Sequence, residues 1–556
     1  MTTGYQSTDL LRKALSAFTT QERTCVETLW AELAEFILQS QNGQFLGDQS
    51  RGIKKDQNVF DSTAVIACRD LASAMHSTIT NPAMKWSKLR FKEQELNNDY
   101  DSTNWLDQAT DIMHGVFSES NLDSQLGSNY SSVCGLATGV LFHEEVEDAP
   151  DIFNFINWHL SEVAYSENRF GIVDCIYRKF TMTYQQLVEQ FPDSVPQFVL
   201  DKVDTEPMEE ETIYLCIYPR KKKDVKLNEV GLAPPEKRPF ASCYIMEREA
   251  YVLGEDGYYE FPVYVCRWSK LPGEIYGFGP GHAARPDVRT LCKVREDKLK
   301  ALAKATNPVI ITTQNNVLTT DFRPGKLVTV RDTDKIKEFV TQTRFDVLQV
   351  EEQELRASIK SAFYIDKLLL PPRTETGEMT AYEISQRLEQ MQTILGPALN
   401  RLNMELLQPL VLRSLKILMR RNMIPPIPQK TLQLVQSMGK DPRAIDLEIT
   451  FVNSLSRSQQ LGELRNVQSF VQEVFQMAQA NPQVLDKLNL DAIIDYDARI
   501  RSIPESLIET DEQVQAIRQQ RQQAQAQQQQ LAAGQQIGDI VKNVGSVMPK
   551  SGGQPQ

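Results

Sequence analysis

Between residues 285 and 363 the chain carries two stretches of helical period separated by an uncharged segment rich in β-branched residues, an order few folds can accommodate. From 285 to 305, Val288, Leu291, Cys292, Leu299, Leu302 and Ala303 recur on one side. The other side holds Arg285, Arg289, Lys293, Arg295, Lys298, Lys300 and Lys304, opposed on the same helix by Asp287, Glu296 and Asp297. NPVIITTQNNVLTT (307–320) and KLVTV (326–330) then read as strand. A second helix is expected over about 334–363, on the repeat of Ile336, Val340, Thr343, Val347, Leu355, Ile359 and Phe363. Two helices around a β insert make a stalk with a tip. Its cationic side has two readings. In one it forms a phosphate-facing surface, weak in a single copy and strong in a ring of copies. In the other it pairs with Glu351, Glu352 and Glu354 of the second helix.

Upstream, Thr19 and Glu22 suggest a capping box before a helix carrying Val26, Leu29, Trp30, Leu33, Phe36 and Ile37. Further helices are expected over 62–79, 102–118 and 123–140. From about 150 to 270 the period shortens towards two and Ile, Val, Tyr and Phe dominate, which reads as an antiparallel sheet with a helix at 182–191 inserted. Downstream, LLLPPRTETGEM (368–379) is a loop, because Pro371, Pro372 and Gly377 oppose helix. Thr380 and Glu383 then cap a long helix to about Arg421, with bends expected at Pro397 and Pro409. A strand at 446–452, shorter helices and a glutamine-rich tail complete the chain.

Composition excludes whole classes. The net charge of −13 opposes a broad basic nucleic-acid surface. No two of the eight cysteines lie closer than 23 residues, so zinc and redox pairs are absent and reduced, buried thiols are expected. The uncharged stretch 124–142 is too rich in Ser, Gly, Asn and Gln to span a bilayer, and no signal peptide is evident. GFGPGH, with Gly277, Gly279 and Gly281, is a poor nucleotide fingerprint: its spacing is GxGxG, and it reads as a flexible bend. His143-Glu144-Glu145 is followed by Glu147 where a second zinc-binding His would stand. Arg220 to Lys223 reads as a solvated basic turn, and Asp491, Asp495 and Asp497 as a solvated helix face. No catalytic constellation, cofactor site or metal site emerges.

Five segments, in order, resemble the portal (head-to-tail connector) proteins of short-tailed bacteriophages. They are LASAMHSTITNPAMKWSKLRF (71–91), NRFGIVDCIYRKFTMTYQQLVEQF (168–191), YGFGPGHAARPDVRTLCKVREDKLKALAKATNPV (276–309), TAYEISQRLEQMQTILGPALNRLNMELLQPLVLR (380–413) and TFVNSLSRSQQ (450–460). The resemblance spans about residues 20–525. It implies an α+β, mainly helical ring subunit without enzymatic activity. The implied parts are a wing (1–280), stem helix one (281–306), a clip (307–333) and stem helix two (334–363). A channel loop (364–380), a long wing helix (381–425), a crown (426–530) and a disordered tail (531–556) follow.

The implied partners are other copies in a ring of about twelve, double-stranded DNA in its channel, the large terminase subunit, a tail adaptor, and the major capsid and scaffold proteins. The implied place is the virion's head-tail junction at one capsid vertex, after assembly in the host cytoplasm, with no membrane. Lys367, Leu369, Leu370, Pro371, Pro372, Arg373, Thr374 and Glu375 fall on the channel loop. Arg289, Lys293, Arg295, Lys298, Lys300 and Lys304 are the stem cations that would face DNA. Val309, Ile310, Ile311, Val317, Leu318, Arg323, Lys326 and Val328 would form the docking surface of the clip, whose open strand edges need partners. Net acidity would keep DNA from sticking as it slides. The alternatives are a non-enzymatic helical scaffold or adaptor, and a nucleotide-dependent enzyme using the 277–281 bend.

Overall fold

Helices α1 (Gly4–Phe18), α2 (Gln21–Phe36) and α3 (Thr63–Ile79) open the chain, each turning an apolar face inward. Trp30 of α2 is fully buried, and its indole N–H donates to the Leu136 carbonyl at 3.2 Å. The expected Thr19–Glu22 capping box does not form. Helix α2 begins after Thr20 without a side-chain cap, and Glu22 accepts instead from the Ile275 N–H at 2.8 Å. A distant backbone donor outcompetes the local one.

Strand β1 (Ser87–Phe91), α4 (Tyr100–Glu119) and α5 (Leu122–Leu136) follow. The helix expected to reach 140 ends at Leu136, because Ala137 takes a left-handed φ of 60° and Thr138 starts β2 (Thr138–Glu145). Val140, Leu141 and Phe142 suit a buried strand, and β2 becomes the centre of a sheet between β3 (Phe153–Trp158) and β9 (Val263–Arg267). The expected sheet is therefore two sheets, and it starts earlier than 150. The second is an antiparallel meander of β4 (Val163–Glu167), β5 (Val173–Thr183), β6 (Glu210–Pro219), β7 (Phe240–Met246) and β8 (Val252–Tyr258).

Alternation along the meander decides what covers each face. Tyr214 and Cys216 of β6 pack with Leu11 and Ala14 of α1. Ile213, one residue earlier, packs with Leu187 of α6 (Tyr184–Gln190) and Val199 of α7 (Gln197–Lys202). Helix α6 occupies the expected 182–191 position and carries a full capping box between Thr183 and Gln186.

Short strands β10 (Ser269–Lys270) and β11 (Gly277–Phe278) pair just before α8 (Pro280–Thr306), which matches the first stalk helix. The second expected helix starts later than 334. Lys337–Phe339 is strand β13, antiparallel to β12 (Val309–Ile311), and α9 runs Phe345–Ala362. The β-branched run 309–311 takes Lys337–Phe339 as its partner, which draws those residues out of the helical pattern. Helix α9 packs along α8.

The loop expected from 364 also starts later. Tyr364 adopts φ 58°, but Ile365–Leu368 is still helical. Residues 394–402 are helical, Asn403–Leu407 is a π turn, and α10 (Gln408–Arg420) continues to a left-handed Asn422. A helix α11 (Gln429–Ser437) and a strand β14 (Leu447–Phe451) follow, β14 pairing with β1.

This computed structural model describes residues 4–39, 45, 59–97, 99–146, 152–221, 224–225, 233–306, 309–311, 337–339, 345–368, 394–437, 447–451 and 467–477, with isolated positions beyond 490. The chain forms two units. One comprises 1–90, 107–426 and 447–458, and the other 91–106, 427–446 and 459–556. In the second unit Ser102 and Thr431 hydroxyls meet at 2.8 Å, and Lys430 pairs with Asp99 at 2.9 Å.

Candidate functional site

The stalk is buried at its base and open further out. Val288, Leu291 and Cys292 of α8 and Ile359 of α9 are buried, whereas Leu299, Leu302 and Val350 are each more than half exposed. The apolar side read from the sequence is thus satisfied within one chain only along its first half.

The cations of α8 are largely paired inside the chain. Arg285 and Arg289 both reach Glu32 of α2, at 3.3 and 3.2 Å. Lys293 pairs with Glu296 at 3.0 Å and Asp297 at 3.5 Å, and Lys300 pairs with Glu296. Arg295 and Lys298 turn to a buried cluster. Lys298 lies 3.0 Å from Glu352 of α9, and Arg295 lies 3.5 Å from Asp61, ahead of α3. Arg356 donates to the same Asp61 oxygen from Nε and Nη2 at 3.1 and 2.8 Å. Burial alone would raise the Asp61 carboxyl, but hydrogen bonds from Thr63 and Arg356 outweigh it and hold it below the ordinary value.

Of the three acids expected to pair with α8, Glu352 is buried and pairs with Arg295 and Lys298, while Glu351 and Glu354 are exposed. Arg289, Lys293 and Lys300 keep 61% side-chain exposure and remain available to an outside partner. Lys304 lies near the end of α8. Val309, Ile310 and Ile311 form β12, and Lys367 lies in the short helix Ile365–Leu368. Leu369, Leu370, Pro371, Pro372, Arg373, Thr374 and Glu375 fall outside the described residues, as do Val317, Leu318, Arg323, Lys326 and Val328. So do Thr380, Glu383, Asp491 and Asp495.

The glycine bend is neither a phosphate cradle nor flexible. A Cβ at Gly277 would stand 2.3 Å from the Ala137 carbonyl oxygen, and one at Gly281 2.1 Å from that of Gly135. A Cβ at Gly279 would meet the Ala137 methyl at 2.9 Å. Atoms of the α5–β2 turn fill the space beside all three glycines, so the close approach these positions permit is made by the chain's own backbone. One more reading is corrected. Arg220 is not a solvated turn residue, since its guanidinium binds the Arg238 carbonyl at 2.9 Å and Glu255 at 3.0 Å. His143 lies on strand β2, fully buried against Tyr264 at 2.9 Å, so the half-zincin pattern has no helix to stand on. Among the described residues no cluster of three or more His, Cys, Asp or Glu could hold a metal ion. No described helix is long and apolar enough to cross a membrane.

One cluster escaped sequence reasoning. Arg267, at the end of β9, is 1% exposed. Its Nη2 donates to Glu405 at 2.6 Å, its Nε at 3.3 Å and its backbone N–H at 2.9 Å. Its Nη1 donates to the Ile275 carbonyl at 2.9 Å and to Glu167, which also holds Lys270. Burial works against the Arg267 charge, and these carboxylates outweigh it. Glu405 sits in the π turn, whose extra residue turns it inward while Met404 stays 70% exposed. The three partners lie 100 or more residues apart in the chain, so no local spacing marks them.

The long helices α8 and α9 lie side by side, the β12–β13 pair falls between them in the chain, and the start of α8 is seated on the α5–β2 turn. The chain belongs to the bacteriophage head to tail connecting protein family, whose model matches residues 9–508. It is 28% identical over 532 residues to the portal protein of Salmonella phage epsilon15, covering 92% of this chain and 91% of that one. It is 29% identical over 553 residues to the probable portal protein of Bordetella phage BPP-1, covering 95% and 93%. A neck structure of an empty GTA particle aligns over 73% of this chain and 86% of that one, at 9% identity and a TM-score of 0.33, a likeness that carries no argument.

Proposed function

We propose that this chain is one subunit of a portal ring that passes double-stranded DNA into and out of a phage head, with α8 and α9 forming the channel wall. The observation that carries the reading is the family match over 9–508, joined to two relatives named as portal proteins over more than nine-tenths of the chain. The exposed outer half of the stalk supports it, because neighbouring stalks in a ring would cover Leu299, Leu302 and Val350.

The charge arrangement supports sliding rather than gripping. The chain carries −13 overall, and the described α8 cations have carboxylates of the same chain beside them. DNA phosphates must compete with those acids, so counterion release on contact is small. In this reading Arg289, Lys293 and Lys300 touch passing DNA transiently. The 364–380 loop approaches it, and the tip containing β12 receives the large terminase subunit and later the tail adaptor. Capsid and scaffold proteins meet the subunit during assembly in the host cytoplasm. Negative-stain or cryo-electron microscopy of the full chain tests the ring. The expected result is a closed ring of about twelve copies with a central hole wide enough for a duplex. Particles without a hole would refute it.

A further inference from the structure

Among the described residues the four most exposed large hydrophobic side chains are Met208, Phe170, Met404 and Ile172. Three of them, Phe170 at 71%, Met404 at 70% and Ile172 at 63%, line one groove of about 590 Å³. Val263 and Val265 of β9 and Pro409 extend its apolar lining.

The two walls are held rigidly. On one side is the β4–β5 hairpin tip, where the Asn168 side chain accepts from the N–H of Phe170 at 2.9 Å and of Ile172 at 3.2 Å. Gly171 supplies the positive φ of 75° that the turn requires, and the Arg169 guanidinium lies over the Phe170 ring at 4.5 Å. On the other side the π turn presents Met404 while Glu405 clamps Arg267 behind it. At the base of the groove Arg267 and Arg401 share Glu405, and Arg267 and Lys270 share Glu167, so an incoming surface meets ion pairs already formed within the chain. Rigid walls cost little entropy on docking.

We infer that this groove seats a neighbouring copy of the same chain; the inference rests on the ring reading. The three exposed side chains offer on the order of 400 Å² of apolar surface, about half of what one partner contributes to a standard interface. That is too little to hold a separate protein and enough to anchor a contact repeated around a ring. The groove and its occupant are different surfaces, as a head-to-tail ring contact requires.

The test places a benzophenone amino acid at position 170 of the full chain and measures assembly by mass photometry. The expected result is irradiation adducts joining two copies. Phe170→Asp/Ile172→Asp, with wild-type circular dichroism, raises the concentration needed for assembly by about tenfold or more. Met404→Glu, on the opposite wall, does the same, so the result does not hang on one variant folding. Rings that form at wild-type concentration in all variants, without adducts between copies, overturn the groove and leave the ring reading standing. Adducts to a different virion protein, or a small molecule co-purifying in the groove of intact rings, overturn it in the same way. A chain that stays monomeric at all concentrations overturns both.

Discussion

Replacing Glu405 by Ala strips Arg267, whose side chain is 1% exposed, of three hydrogen bonds. Two come from the guanidinium, at 2.6 and 3.3 Å, and one from the backbone N–H at 2.9 Å. Hydrogen bonds to charged groups are each worth about 1.5–3 kcal/mol, and breaking a buried pair from one side costs about 3–5 kcal/mol. Glu167 and the Ile275 carbonyl still hold Nη1, which keeps part of the charge compensated. The expected loss is therefore near the lower end, about 3 kcal/mol. With two units, a melting curve is not a two-state measurement, so the assay is amide hydrogen exchange along β9 and residues 394–420. Exchange there is expected to quicken about a hundredfold, since each 1.4 kcal/mol is tenfold. Glu405→Gln keeps one acceptor and falls between. Protection in Glu405→Ala within about threefold of wild type would mean that the cluster does not anchor the helix to the sheet, and the reasoning would fail.

Gly281→Ala forces a methyl to 2.1 Å from the Gly135 carbonyl oxygen and is expected to destabilise the chain by about 1–3 kcal/mol in urea titrations. Gly115→Ala and Gly127→Ala, on helices with nothing within 4 Å, should be neutral or stabilising by up to about 1 kcal/mol. Burial, reinforced by Arg23 and Arg285 respectively, lowers His159 and His282 to about 4. The unfolded chain takes up these protons from about pH 6.5, so stability is full above that value and declines as pH falls towards 4. Denaturation at stepped pH should show the decline, and His282→Gln should flatten it; an unchanged acid limb would count against the burial argument.

Local signals were legible where nothing distant competed. Helix α8 could be placed within a few residues, because its apolar spacing and its charges agree. The inserted helix α6 was equally clear. The readings that failed did so at tertiary demands. Lys337–Phe339 leaves the helical pattern to pair with 309–311, and Glu22 abandons its cap for Ile275. The last three residues of the expected helix at 123–140 became the start of the central strand β2 once Ala137 turned. Ion clusters were invisible because Asp61 and Arg356 are 295 residues apart, and Arg267 and Glu405 138. The exposed cations of α8 showed in the sequence as a stripe, but not which carboxylates answer them.

The contact between Gly281 and the Gly135–Thr138 turn brings one backbone directly onto another. At Gly281 the nearest atoms are all main chain of Gly135, so no rotamer there can shift to take up a displacement. The start of α8 is therefore seated by direct main-chain contact on the turn that leads into β2. A shift of the start of α8 would press directly on the residues that open the central strand of the β3–β2–β9 sheet.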